Sequence, residues 1–330
     1  MLSVASAIVV IHRVLVVQPL HPTAIAMLDA RPDVEYAVVT DLSEQNLLAH
    51  AADIDAMTLR DGQLPPSVVE AAPRLKVISR HGVGYDNVPI AVCTARGIPV
   101  TLTIAANVIS VAEHTMMLLL AAARAAVELD TSVRDGDFAV RSRVRGVELR
   151  GRTLVLVGYG RIGREVAIRA AAFGMRVCVV DPYLASNPPD GVEVIADLDS
   201  ALPLADVLSL HTPLTDETRG MIGVAELAAM PDGAILVNAS RGGVVDEDAL
   251  LASVRSGHLH GAGLDVFAQE PLPDDSPLLA ERRIVITPHA AALTEESIIA
   301  MGRDTIENVF AALDGTLDPS VVVNPSVLRP

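Results

Sequence analysis

With 330 residues the chain is long enough for two domains that each bury a core, and at 51% apolar composition it is too hydrophobic to be disordered. The formal net charge of −16 argues against nucleic acid or an anionic membrane surface as partner, because both are repelled by such a field. Cys93 and Cys178 are the only cysteines and form no CxxC pair, which fits a reducing, cytoplasmic setting rather than a disulfide framework.

The apolar opening run, residues 2–11, has neither a basic leader nor a small-residue cleavage site, so it reads as an extension and not a signal peptide. From residue 13 the chain alternates. Residues 13–17 read as a strand and 22–30 as the helix returning from it. The short runs 35–39, 56–59, 75–79 and 98–100 read as further strands with helical patterns between them. Such alternation predicts a parallel sheet covered on both faces.

Residues 108–124 have helical spacing but become apolar on every side, while their densest run, 116–123, is far short of the ~20 residues that span a bilayer. A helix without a polar face must be buried all round, in a core or at a subunit contact. A subunit contact, and hence a homodimer, is the expectation. The connector that follows, 135–149, is charged and rich in arginine.

The chain is organised around Thr153-Leu-Val-Leu-Val-Gly158-Tyr-Gly160-Arg-Ile-Gly163. A buried strand is followed at once by glycines, where it must turn sharply into a helix. Gly158 permits the turn, Gly160 removes a Cβ that would block a pyrophosphate, and Gly163 lets the helix lie close to the strand. The start of that helix offers unpaired N–H groups and a partial positive charge to an anion. Arg176-Val-Cys-Val-Val180 supplies the next strand, and Asp181 closes it 18 residues after Gly163. A carboxylate there can accept bonds from both ribose hydroxyls and repels a 2′-phosphate, so NAD is expected rather than NADP.

Further strands end on polar residues: Val207-Leu-Ser-Leu-His211-Thr-Pro213, Ala234-Ile-Leu-Val-Asn-Ala-Ser240-Arg241, Gly261-Ala-Gly-Leu-Asp265 and Ile284-Val-Ile-Thr-Pro-His289. Open α/β sheets bind ligands at that edge, so these ends are expected to converge. A last helical pattern covers about 294–313, and with only a short tail after it no regulatory domain is expected.

Three of these residues suit the reduction of a 2-oxo acid. Hydride addition builds negative charge on the carbonyl oxygen, which needs an electrophile and then a proton. A protonated His289 can supply both, Glu270 can fix its tautomer and raise its pKa, and Arg241 has the planar fork that grips a carboxylate. His258 and His260 have a metal-like spacing without further ligands nearby, so no metal is expected. His114 reads as a packing or interface residue of the apolar helix.

With these motifs assembled, the chain resembles the D-isomer-specific 2-hydroxyacid dehydrogenase family, which includes phosphoglycerate and hydroxypyruvate dehydrogenases. The resemblance runs from about residue 13 to Asn324-Pro325. It is carried by the glycine turn, His211-Thr-Pro-Leu-Thr-Asp-Glu-Thr-Arg219-Gly, Asn238-Ala-Ser-Arg241-Gly-Gly-Val-Val-Asp246, Gly263-Leu-Asp265-Val-Phe, Glu270-Pro and Thr287-Pro-His289. It implies an α/β protein of two doubly wound parallel-sheet domains. A Rossmann NAD-binding domain, 107–293, would be inserted into a discontinuous flavodoxin-like substrate domain, 1–106 with 294–330. The family's catalytic residues fall on Arg241, Glu270 and His289. Its coenzyme contacts fall on Gly158, Gly160, Arg161, Ile162, Gly163, Asp181, His211, Thr212, Pro213, Thr218, Ala239, Ser240, Arg241, Asp265, His289 and Ala291.

Its substrate loop resembles Arg80-His81-Gly82-Val83-Gly84-Tyr85-Asp86-Asn87, whose backbone N–H groups near Val83 and Gly84 would hold a carboxylate. Arg60, His81, Asn107, Arg241 and His289 complete the implied substrate contacts, and Arg60, Arg141 and Arg143 are candidates for a distal anion. The chain departs from the family at Ile104-Ala105-Ala106-Asn107, where many relatives have Pro-Gly before the asparagine, and at Ala290-Ala291-Ala292. The expected activity is hydride transfer between NAD(H) and a D-2-hydroxy acid or its 2-oxo acid: hydroxypyruvate, glyoxylate or 3-phosphohydroxypyruvate. The rivals are an NADH-sensing corepressor-type binding protein on the same fold, and formate or phosphite oxidation. Formate enzymes resemble this pattern with an amide where Glu270 stands.

Overall fold

The structure, a computed structural model, describes residues 10–184 and 191–328; most of the apolar run 2–11 lies outside them. The chain forms two compact units, Met1–Asn107 with Thr294–Pro330, and Val108–Leu293.

In the first unit come β1 (His12–Val17), α1 (Pro22–Asp29), β2 (Val34–Val39), α2 (Glu44–Ala51), β3 (Ala56–Leu59), α3 (Pro66–Glu70), β4 (Val77–Arg80), α4 (Ile90–Ala95) and β5 (Val100–Thr101). They build one parallel sheet in the order β2-β1-β3-β4-β5, a doubly wound arrangement. Val14 to Val17 are all buried, because helices cover both faces of β1 and an alternating pattern would leave one face unsatisfied. Pro22 opens α1 at a position whose N–H has no helical partner anyway. β4 begins two residues later than the apolar run suggests: Leu75 is buried, but its N–H bonds Ala72 in the turn after α3, and pairing with β3 starts at Val77.

The second unit contains α5 (Val108–Ala123), α6 (Ala126–Arg134), β6 (Thr153–Val157), α7 (Arg161–Ala172), β7 (Arg176–Val180), β8 (Val192–Val194), α8 (Leu198–Ala201), β9 (Val207–Leu210), α9 (Val224–Ala229), β10 (Ala234–Asn238), α10 (Glu247–Ser256), β11 (Leu259–Leu264) and β12 (Ile284–Ile286). Its seven parallel strands run β12-β11-β10-β9-β6-β7-β8, so the winding reverses between β6 and β9. One apolar core lies around α8, α9 and α10 and another around α5 and α7.

The apolar helix α5 finds most of its cover inside this unit. It packs on β10, β11, β12 and α7, and a Cβ added to Gly263 of β11 would stand 2.7 Å from Leu118 Cβ. Ile109 and Met117 remain exposed. Among the described residues no single helix is long and apolar enough to cross a membrane; α5 and α6 reach that length only together, across a 64° bend. The arginine-rich connector holds a short 3-10 turn, Phe138–Ser142. Finally α11 (Glu295–Leu313) returns to the first unit, with Thr294 as its cap accepting from the Ser297 N–H. It buries Ile306 and Val309 against Val14, Val16 and Val77, and the buried Ser79 hydroxyl donates to Thr305 O.

Candidate active site

The turn between β6 and α7 has the shape its glycines imply. Gly158 sits at φ +94°, where a Cβ would be strained and would meet His211 O at 2.6 Å. A Cβ on Gly163 would meet Gly158 O at 2.5 Å, so the helix lies against the turn. By contrast a Cβ on Gly160 would meet nothing within 4 Å. That open space stands over a helix start without a side-chain cap, and so fits the pyrophosphate of a dinucleotide. Arg161 and Ile162 open α7. At the end of β7, Asp181 accepts from the Tyr159 N–H at 2.7 Å through Oδ2 and from the Tyr183 N–H at 2.8 Å through Oδ1. The carboxylate is thereby fixed beside the glycine turn.

After β9, His211 is neutral: burial pushes its imidazole down to about 4, and Nε2 lies 2.9 Å from the Ser209 hydroxyl. Its carbonyl is what presses on Gly158. Thr212 Oγ1 is buried and has no partner among the described residues, an orphan polar atom that a bound coenzyme would satisfy. Pro213 O accepts from the Thr218 hydroxyl at 2.7 Å, which closes the exposed loop between them.

The remaining strand ends are locked to one another. Asn238, buried at the end of β10, accepts from the Ser240 N–H and hydroxyl and donates to Arg241 O at 2.9 Å, with Ala239 in the bend. Arg241 Nη1 donates to Ser240 O at 2.6 Å. A Cβ on Gly242 would fall 1.7 Å from Phe267 O, so this turn is pressed against the backbone that follows β11. There Glu270 Oε1 accepts from the Phe267 N–H at 3.0 Å, and Glu270 Oε2 lies 2.7 Å from His289 Nδ1. The bond to Glu270 raises the imidazole of His289 above its ordinary value, against burial and the nearby Arg241 charge. Burial alone would raise Glu270, but the bonds from His289 and Phe267 outweigh it and hold the carboxyl below its usual range.

His289 itself has φ +52°, a left-handed conformation that costs a residue with a Cβ about 1 kcal/mol. Asp265 is the fully buried anchor of that turn. It accepts from the Thr287 hydroxyl at 2.6 Å and from the Ala290 and Ala291 N–H groups at 2.8 Å each. His114 reaches the same network: its Nε2 lies 2.9 Å from Thr287 Oγ1 and 3.4 Å from Asp265 Oδ1. From sequence alone His114 reads as a packing or interface residue. The signal that could have singled it out was a lone imidazole in an otherwise apolar helix.

In the first unit the expected substrate residues cluster at the ends of β3 and β4. Arg60 donates to Pro19 O at 2.9 Å, and its Nε is buried without a partner among the described residues. His81 is buried and pushed down to about 4 by burial and by the charges of Arg60 and Arg80. Val83 and Gly84 are half-buried in the loop that follows, where Asn87 donates to Arg60 O and Gly62 O at 2.7 and 2.8 Å. Asn107 is buried after β5, its Oδ1 without a partner among the described residues. Arg143 is paired with Asp137, and Arg141 stacks over the exposed Phe138 ring at 5.0 Å. His258 Nδ1 lies 2.7 Å from Asp232 and its Nε2 lies 2.9 Å from Leu227 O; the described residues contain no cluster of metal ligands.

Residues 116–291 match the family described as D-isomer specific 2-hydroxyacid dehydrogenase, NAD binding domain. The D-3-phosphoglycerate dehydrogenase of Methanocaldococcus jannaschii is 42% identical over 318 residues, covering 96% of this chain and 60% of that protein. The chain thus spans about 60% of the length of such relatives. A glyoxylate reductase of Korarchaeum cryptofilum is 41% identical over 293 residues, 87% of this chain and 88% of its own. Among solved structures, D-lactate dehydrogenase from Aquifex aeolicus, complexed with NAD and lactic acid, superposes with a TM-score of 0.83 at 29% identity, covering 94% of this chain and 99% of that one.

Proposed function

The chain belongs to the D-isomer specific 2-hydroxyacid dehydrogenase family, and from that premise we propose that it interconverts a D-2-hydroxy acid and its 2-oxo acid with NAD(H). The observation that carries the reading is the 2.7 Å contact between His289 Nδ1 and Glu270 Oε2, beside the turn that holds Arg241. NADH, when bound, supplies the hydride.

The chain's own residues do the rest. With Nδ1–H held by the Glu270 carboxylate, His289 keeps Nε2–H for the substrate oxygen and delivers that proton as negative charge develops there. Arg241 grips the substrate carboxylate with its fork. Asp181 takes the adenosine ribose hydroxyls and selects NAD. Gly160 and the α7 amides hold the pyrophosphate.

The substrate is a small anionic 2-oxo acid such as hydroxypyruvate, glyoxylate or 3-phosphohydroxypyruvate. The partner is a second copy of the chain. A groove of about 590 Å³ lined by Met116, Met117, Leu120, Ala121 and Phe173 supports this, since so apolar a surface gains by burial. Free, buried Cys93 and Cys178 fit a cytoplasmic location. The test is NADH oxidation with a panel of 2-oxo acids. Turnover with at least one is expected; NADH binding without reduction of any would leave a sensing role instead.

A further inference from the structure

The turn that carries His289 depends on a buried carboxylate. Three of its hydrogen bonds run to Asp265: His289 N–H to the backbone carbonyl at 2.8 Å, and the Ala290 and Ala291 N–H groups to the two carboxylate oxygens, also at 2.8 Å. Together they keep a non-glycine residue at φ +52°. If the carboxylate rotated, both alanine amides would lose their acceptor and the left-handed turn could relax. Something has to fix the carboxylate.

Counting hydrogens identifies it. A threonine hydroxyl has one proton to give, and an ionised carboxylate only accepts. Burial alone would push the Asp265 carboxyl up, but the bonds from His114, Thr287 and the two amides outweigh it and hold it below its usual range, so it is ionised. The Thr287 proton therefore points to Asp265 Oδ1, 2.6 Å away. Thr287 Oγ1 is then left with acceptor capacity only, and His114 Nε2 at 2.9 Å must be the donor. The chain of donation runs His114 to Thr287 to Asp265, and joins α5 to the loop after β12, 173 residues later in the sequence.

We propose that His114 is a positioning residue for the catalytic turn, its Nε2–H fixing the Thr287 hydroxyl, through it the Asp265 carboxylate, and so the direction of the His289 imidazole. The structural part stands on the hydrogen bonds and the ionised Asp265 carboxylate; its kinetic consequence rests on the reading of His289 as the proton donor.

The experiment compares wild type, His114→Leu, His114→Gln, Thr287→Val and the His114→Leu/Thr287→Val double variant as whole proteins. Amide hydrogen exchange at Ala290 and Ala291 is the readout that needs no activity, with the Ala262 amide, bonded to Arg283 O in the sheet, as internal control. His114→Leu and Thr287→Val are each expected to speed exchange at the two alanines at least tenfold and leave Ala262 unchanged. Glutamine retains an N–H near the Nε2 position and is expected to restore protection to within threefold. The double variant exchanges no faster than the faster single, because both cut the same chain. In turnover with the best 2-oxo acid, kcat falls at least tenfold in the leucine variant while KM for NADH stays within twofold. Should His114→Leu not fold, Thr287→Val leaves α5 intact and carries the same prediction. Unchanged exchange in the folded variants, or additive effects in the double, overturns the proposal. A wild type that reduces no 2-oxo acid while the amides respond as stated overturns the functional reading and leaves the positioning role standing.

Discussion

The two sheets end alike in sequence and differently in structure. Both present polar residues where parallel strands stop. In the five-stranded unit those residues spend their bonds on their own loops: Gln18 accepts from the Asp61 and Gly62 N–H groups, Arg60 donates to Pro19 O, and Asn87 ties together residues 60–62 and the 82–87 loop. In the seven-stranded unit they bind one another, and the outcome is a proton-sharing pair, His289 and Glu270, next to a guanidinium. A strand end supplies position in both cases. Only where two titratable groups meet does it also supply reactivity.

Removing like residues from the two regions sharpens the contrast. His289→Ala is expected to lower kcat by roughly 10² to 10⁴, the usual worth of a general acid, whereas His81→Ala, an imidazole at a strand end of the other sheet, is expected to change it less than tenfold. Steady-state kinetics with NADH and one 2-oxo acid decides between them; equal losses would erase the distinction. Arg241→Lys keeps the charge but loses the fork, and about 2 kcal/mol of carboxylate binding, roughly 30-fold in kcat/KM, should go with it. Asp181→Ala should weaken NADH about tenfold in a binding titration and narrow its advantage over NADPH. If the unmutated protein used NADP as well as NAD, the role given to Asp181 would be wrong.

Smaller effects are expected where bonds serve loops. Asn87→Ala removes three hydrogen bonds, two donated to Arg60 O and Gly62 O and one accepted from Arg80 Nε, and should cost roughly 1 to 3 kcal/mol of stability, seen as a lower Tm, with NADH affinity unchanged. The smallest expectation concerns pH. Because the folded value of His289 is raised, its protonated form adds stability that is complete below its ordinary value of 6.5 and is lost as pH rises through the raised one. Thermal unfolding of wild type and His289→Ala should therefore converge as the pH is taken upward.

The parts of the molecule that could be read from sequence are those whose causes are local. The β6–α7–β7 unit declares itself because strand, glycines, helix and Asp181 follow one another within thirty residues. The edge strand β8 has three partly exposed residues and no apolar run, and α6 buries none of its side chains, so neither announces itself as a core-forming element. α5 was legible as apolar throughout, but its partners were not: Gly263, which lets the helix approach β11, lies in a distant strand. For the same reason His114 looked like packing. Its role depends on Thr287 and Asp265, which the chain brings to it only after the sheet is complete.

The pH dependence of kcat/KM for 2-oxo acid reduction, in wild type and in Glu270→Gln, probes the His289–Glu270 pair most directly. On the proposed mechanism reduction needs the imidazolium, so the wild-type rate should fall only as pH climbs past the raised value of His289, above 6.5. Removing the Glu270 charge should move that fall to lower pH. Superimposable profiles for the two proteins would contradict the account.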